Sequence, residues 1–251
     1  MIVSHRHRYI FVAIPHTGST AIERELCEFY GGTKVRHKHS LPAFLPYWTS
    51  SYKVVGGVRN PATDIVTQYN KYATDHLGIY SKQLSGQADH IFMTARSKSL
   101  FKRVHSGELD LDGFVAEVGK RPVVPKVELN RGRYNYIYRL ESLNEEFPRI
   151  LSHLGLVQQR DPPHNNRTNY SNQAVDLDQI LQQPAFRVAA LRFGYLKGTP
   201  SAKDLAVYHL ASAIKRTVWL AREARDIVAN KGFFQMQAAL TNVVPGVTED
   251  V

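Results

Sequence analysis

The sequence predicts an α/β protein: a parallel β-sheet flanked by helices on both faces, with a helical extension at the C-terminal end. Three observations point to it. Strand-like apolar runs alternate with stretches of helical spacing, short turns rich in Gly, Pro and polar residues join them, and residues 201–230 keep a helical pattern throughout. Strands that alternate with helices call for right-handed crossovers and hence a parallel sheet, whose ligands bind beyond the carboxyl ends of the strands.

Residues 9–14, Tyr-Ile-Phe-Val-Ala-Ile, form a continuous apolar run ended by Pro15, the pattern of a strand buried on both faces. From Ser19 onward, Ile22, Leu26, Phe29 and Tyr30 recur at helical spacing until Gly31 and Gly32 stop them. The segment 35–42 is expected to supply the second strand and its exit loop. Residues 52–58 read as a strand, Arg59 and Asn60 as a turn, and Pro61 as the first position of a helix carrying Ile65, Tyr69 and Tyr72. A third strand over 134–138 leads through Glu141 into a helix over 143–154 that Gly155 ends. In between, Phe114, Val115 and Val118 mark one helix, while 81–87 reads as a loop; the whole stretch 80–133 is expected to face an acceptor molecule. In the last segment Leu205, Tyr208, Leu210, Ile214 and Val218 stand among Lys and Arg, as in an amphipathic helix. That helix is expected to pack on its own domain or to serve a homodimer, and the tail after Thr241 to be loose.

With 251 residues, 43% of them hydrophobic, the chain can bury one sizeable core. The expected organisation is one domain over 1–198 with a helical extension over 199–251 packed upon it. A formal net charge of +10 favours a polyanion or a multiply phosphorylated nucleotide as partner. No nucleic-acid recognition motif accompanies that charge, so nucleic acid is not the expected partner. Cys27 stands alone, which excludes an intramolecular disulfide and makes a reducing cytoplasm the default compartment. The run 9–14 is too short for a signal-peptide core and no later run reaches the length of a membrane span, so a cytoplasmic protein, or a soluble piece of a longer one, is expected.

Two turns carry the chemistry. Pro15, His16, Thr17, Gly18, Ser19 and Thr20 lie between a strand and a helix, where backbone N–H groups and the positive end of the helix dipole favour an anion. Gly18 permits close approach, and Thr17, Ser19 and Thr20 offer hydroxyls to phosphate or sulfate oxygens; the same residues also suit an ordinary N-capped connection. A nucleotide-kinase site is disfavoured, since no G-x-x-x-x-G-K-[ST] string occurs. In the second turn Arg59 offers a fork to a phosphate at a strand end, and Thr67, two helical turns on, is placed to reach the same group. The alternative for Arg59 is a carboxylate partner such as Asp64.

Taken together, the strings IPHTGSTAIEREL and VGGVRNPATDIVTQYNKY resemble the two signatures of the sulfotransferases that use 3'-phosphoadenosine 5'-phosphosulfate (PAPS). Residues 136–143, 147–156, 164–168 and 193–195 are similar to later elements of that family in the same order, so the resemblance spans about residues 9–196 and looks closest to the carbohydrate-sulfating branch. It implies a P-loop-like fold in which Pro15, His16, Thr17, Gly18, Ser19 and Thr20 hold the 5'-phosphosulfate. Arg59 and Thr67 would hold the 3'-phosphate, and Asn166 and Arg167 would lie on the nucleotide side. It further implies an enzyme that transfers a sulfuryl group from PAPS to an acceptor hydroxyl, a saccharide's for preference, releasing PAP without a metal.

His16 departs from the family, which has Lys there against the leaving phosphate. An imidazole, with an ordinary pKa of about 6.5, does that work only when protonated. For the base that takes the acceptor's proton, the basic stretch before Leu41 and Pro42 offers His39 first and His37 second, with Glu23 and then Glu25 as alternatives. The stretch also reads as a solvated surface strand. Arg131, Arg133 and the tract 98–103 are candidate groove residues, and Phe44, Tyr47 and Trp48 a candidate apolar acceptor wall. A catalytically weakened nucleotide- or glycan-binding protein on the same fold is the competing expectation, because position 16 lacks the lysine.

Overall fold

The computed structural model describes residues 1–35, 42, 47–87, 93–160 and 175–229. His37, His39, Phe44, Asn166 and Arg167 lie outside the described residues, as do the side chains of Tyr47 and Trp48. The chain gathers into two compact units that interleave in sequence: residues 1–58, 126–165 and 212–251 form one, and residues 59–125 and 166–211 the other.

The first unit is built on a five-stranded mixed sheet. Its strands are β1 (Ile2–Ser4), β2 (Tyr9–Val12), β3 (Thr33–Lys34), β4 (Lys53–Val58) and β5 (Tyr136–Arg139), in the order β3-β1-β2-β4-β5. The α/β class expected from sequence is present, but the sheet is not wholly parallel. β2, β4 and β5 run parallel, whereas β1 pairs antiparallel with both β2 and β3. The difference arises because a four-residue turn over 5–8 folds β1 straight back on β2, and a tight connection of that length joins only antiparallel neighbours. Of the segment 35–42 expected to supply the second strand, residues 36–41 lie outside the described residues; the short β3 precedes it and ends at Lys34.

Both faces of the central strands are covered. Tyr9 and Phe11 of β2, Val55 of β4 and Tyr138 of β5 point to one face, where α1 (Ser19–Phe29) contributes Ile22 and Leu26 and α6 (Leu143–Leu154) contributes Phe147, Ile150, Leu151 and Leu154. The alternate residues Ile10, Val12 and Val54 point to the other face, together with Met1, Val3 and Ile14. This burial on both sides explains why β2 reads as an unbroken apolar run. The helix expected over 143–154 is α6, and Gly155 ends it with φ 74. Two glycines of β4 make room for aromatic rings. A Cβ on Gly57 would overlap the Tyr138 ring on the first face, and a Cβ on Gly56 would lie 2.5 Å from the Tyr134 ring on the second.

The second unit is helical. It holds α2 (Pro61–Ala73), α3 (Ile79–Leu84), α4 (Ala95–His105), α5 (Leu111–Val118), α7 (Leu177–Gln182) and α8 (Pro184–Arg192). Tyr72 is its aromatic centre, edge-on to Tyr80, Phe101 and Phe114 at 4.8, 5.7 and 5.9 Å between ring centroids. Residues 81–84, expected to be loop, are the body of α3: the Asp75 carboxylate accepts from the N–H groups of Tyr80 and Ser81 and so caps a short helix whose apolar pattern is too brief to read. The tract 98–103 belongs to α4, which buries Leu100, Phe101 and Val104 and turns its basic residues outward. The long α9 (Ala202–Ala229) begins in this unit and continues into the other. Among the described residues no helix is long and apolar enough to cross a membrane.

Candidate functional site

The first turn leaves the carboxyl end of β2. Residues 15–18 form the turn, and Gly18 stands at the N-cap of α1 with φ 69, a backbone state that a β-carbon disfavours. There is also no room for one: a Cβ on Gly18 would sit 2.7 Å from Leu140 Cδ1. His16 shares the left-handed conformation, with φ 62. Gly18 has no side chain with which to cap α1; the Ala21 N–H donates to the Gly18 carbonyl at 3.1 Å, at a helix end where an anion is favoured.

The side chains of the turn divide into two sets. Thr17 and Ser19 are buried, and both hydroxyls donate to the carbonyl of Ile14, at 2.8 and 3.0 Å. These protons shape the loop, so donation of the kind expected for phosphate oxygens would require them to leave Ile14. His16 and Gly18 are half-buried and Thr20 is exposed, which makes them, with the helix N-terminus, the outward part of the turn. Tyr138 ties the loop down from β5: its hydroxyl donates to the Thr17 carbonyl at 3.0 Å and lies 3.3 Å from the Thr17 hydroxyl. Burial pushes that phenol well above the ordinary tyrosine range, so it is a proton donor at any physiological pH. Tyr138 lies in a segment whose sequence reads as a strand. Its part in the turn goes unseen, because only the glycine beneath it hints that the ring lies flat on the sheet.

Of the candidate bases on α1, Glu23 is buried, with Oε1 2.8 Å from the Lys34 ammonium and Oε2 without a hydrogen-bond partner among the described residues. Glu25 is fully buried and held by the Arg160 guanidinium, which also lies 3.9 Å over the Phe29 ring. A carboxylate held so firmly on the flank of the helix is structural, which leaves Glu23 as the candidate on α1.

The second turn begins at Arg59, the residue that follows β4. Asn60 caps α2 by accepting from the N–H groups of Ala62 and Thr63, with Pro61 at the first helical position. Arg59 Nε donates to Thr63 Oγ1 at 3.1 Å, and that hydroxyl donates in turn to the Asn60 carbonyl at 3.0 Å. Thr67 is buried and its hydroxyl donates to the Thr63 carbonyl at 2.8 Å, so it too must give up a backbone partner before it can donate to a phosphate. One turn further on stands Lys71. Burial holds its ammonium below the ordinary lysine range; the Asp64 carboxylate opposes that shift and the Arg59 charge adds to it. Arg59 before α2 and Lys71 upon it are therefore close enough for their charges to act on each other. Lys71 escapes the sequence reading, although its signal is there: positions 63, 67 and 71 recur every fourth residue along one helix face.

Other candidates have ordinary roles. Arg131 pairs with the buried carboxylate of Glu128 at 3.2 Å. Arg133 lines a small cavity of about 130 Å³ with Thr49, Ser50, Tyr52 and Asn135. Arg103 pairs with Glu108 at 2.9 Å and approaches Glu117. Phe193, Gly194 and Tyr195 end α8, with Gly194 at φ 75 and the Tyr195 N–H bonded to the Ala190 carbonyl. No family model matches the chain, and no curated protein or solved structure matches it either.

Proposed function

We propose that this protein is a sulfotransferase that moves a sulfuryl group from PAPS to the hydroxyl of an acceptor, a saccharide, and releases PAP. The observation that carries the reading is the ordered pair of anion-suited turns, each following a parallel strand: residues 15–20 two residues beyond β2, and Arg59 with Asn60 directly after β4. The resemblance of both strings to the PAPS-dependent family supplies the chemical identity. That the fold is P-loop-like belongs to the same proposal.

In this reading the N-terminal N–H groups of α1, the exposed Thr20 and the His16 imidazole hold the 5'-phosphosulfate. Arg59, with Lys71 behind it, holds the 3'-phosphate. The acceptor oxygen forms a bond to sulfur as the bond from sulfur to the bridging oxygen breaks, and the electron pair leaves with PAP. Such transfer needs in-line placement and neutralised charge more than covalent participation by the protein. Protonated His16 supplies the charge at the bridging oxygen, and His39, His37 or Glu23 takes the acceptor's proton.

Incubation with PAPS labelled in its sulfate and a panel of saccharides is expected to give labelled product, with turnover reduced at least tenfold in His16→Ala and raised in His16→Lys. The replacement of the usual lysine by His16 favours one second reading, a protein that binds the nucleotide without turnover. Tight PAP binding with no labelled product from any saccharide, even in His16→Lys, would select it.

A further inference from the structure

At the amino ends of β4 and β5, the edge of the sheet opposite the first turn, an open cleft of about 560 Å³ is lined by Lys53, Tyr136, Pro148, Arg149, Ser152 and His153. Lys53 begins β4, Tyr136 begins β5, and the other four lie on α6. None of the lining residues is acidic. The nearby carboxylate of Glu146 is buried and accepts the Tyr136 hydroxyl, which fixes the phenol ring in place. That ring stacks on His153, with centroids 5.2 Å apart and planes at 29°. His153 Nε2 is buried with no hydrogen-bond partner among the described residues.

The Lys53 and Arg149 charges around one concavity repel each other, and an anion between them relieves the repulsion. Tyr136 and Pro148 add flat apolar surface beside those charges, of the kind that receives the C–H face of a sugar ring. We infer that this cleft binds a sugar unit bearing a sulfate or phosphate ester, with Lys53 and Arg149 on the ester oxygens and the ring against Tyr136 and Pro148. The five steps along the six residues of β4, at about 3.3 Å each, separate the cleft from the strand's carboxyl end by about 17 Å. A single sugar at the reacting end does not reach it, whereas an anionic chain several sugars long does. The ester site goes beyond the nucleotide reading and stands without it; only the length of the chain rests on that reading.

Burial and the Lys53 charge hold the His153 imidazole below its ordinary range, so it is neutral at pH 7 in the free protein. A bound ester raises that value, and affinity therefore climbs as pH falls. Lys53, Arg149 and the hydrogen-bonded Tyr136 and Glu146 are the other charged or titratable groups around it, and burial with the Glu146 carboxylate pushes Tyr136 up to about 12.

The test is titration of the full chain with a sulfated hexasaccharide, its unsulfated counterpart and a hexose phosphate. The sulfated chain is expected to bind and the unsulfated one not. Loss of two charge-assisted contacts in the double variant Lys53→Gln, Arg149→Gln should weaken binding about a hundredfold. PAP affinity should not move. Between pH 8 and 5.5 the affinity should rise in the wild type and stay flat in His153→Gln. Binding of the hexose phosphate, lost in the same double variant, would show phosphate esters to be accepted as well; no binding would restrict the site to sulfate. Equal affinity in the wild type and the double variant, or equal binding of the unsulfated chain, overturns the inference. A protein that binds the sulfated chain here but not PAP keeps this site and loses the nucleotide reading; PAP binding without ester binding does the reverse.

Discussion

The turn after β2 adds to its own bonds on Ile14 a tie from a distant strand, whereas the side-chain bonds described for the turn after β4 run along its own helix. Thr17 accepts a hydrogen bond from Tyr138, 121 positions away in sequence, and Gly18 fits only because nothing intrudes between it and Leu140. Arg59, Asn60, Thr63 and Thr67 find the partners described above within four residues of one another. The first turn therefore depends on tertiary packing as well as on its own residues, while the bonds described for the second follow from local sequence. Damage to the sheet should reach the first turn, while damage to the cap of α2 should reach only the second.

The sharpest break comes from the paired glycines of β4. Gly57→Ala forces the Tyr138 ring off the sheet, and overpacking of this kind costs about 1–3 kcal/mol. Denaturant unfolding should show that loss, and PAP affinity should fall with it because the first turn loses its anchor. Gly56→Ala meets Tyr134 instead. It should cost similar stability and leave PAP affinity nearly unchanged. If both variants weaken PAP binding equally, Tyr138 is not the link between sheet and turn.

Two changes that leave the packing in place sharpen the comparison. Tyr138→Phe keeps the ring but withdraws the donor from the buried Thr17 carbonyl, a change of about 1–3 kcal/mol in unfolding free energy with reduced PAP affinity. Asn60→Ala removes a cap worth about 1 kcal/mol. Its effect should appear in the discrimination between PAP and nucleotides lacking a 3'-phosphate, with the first turn undisturbed. A calorimetric titration of each variant with both nucleotides measures the difference.

The contrast also explains what the sequence makes legible. α1, α2, α6 and the strands they follow announce themselves by periodicity, by Pro61 at a helix start and by Gly155 at a helix end, all local signals. β1 is hidden because its three residues, Ile2–Ser4, are too few to show alternation before the basic turn. α3 is hidden for the same reason, its cap coming from Asp75 four residues ahead of it. Both phosphate-suited turns were readable as positions, but the direction of their hydroxyls was not. Whether Thr17 donates to a ligand or to Ile14 depends on how the loop closes, which no spacing encodes.

The central claim, that the two turns serve the 5' and 3' anionic groups of one nucleotide, is tested most directly by titrating the wild type and Arg59→Ala with PAP and with adenosine 5'-phosphosulfate, which lacks the 3'-phosphate. Loss of one charge-assisted phosphate contact predicts PAP affinity about tenfold to a hundredfold weaker in Arg59→Ala, with adenosine 5'-phosphosulfate bound equally by both proteins. A wild type that ignores PAP, or an Arg59→Ala protein that binds it as tightly as the wild type, would contradict the account.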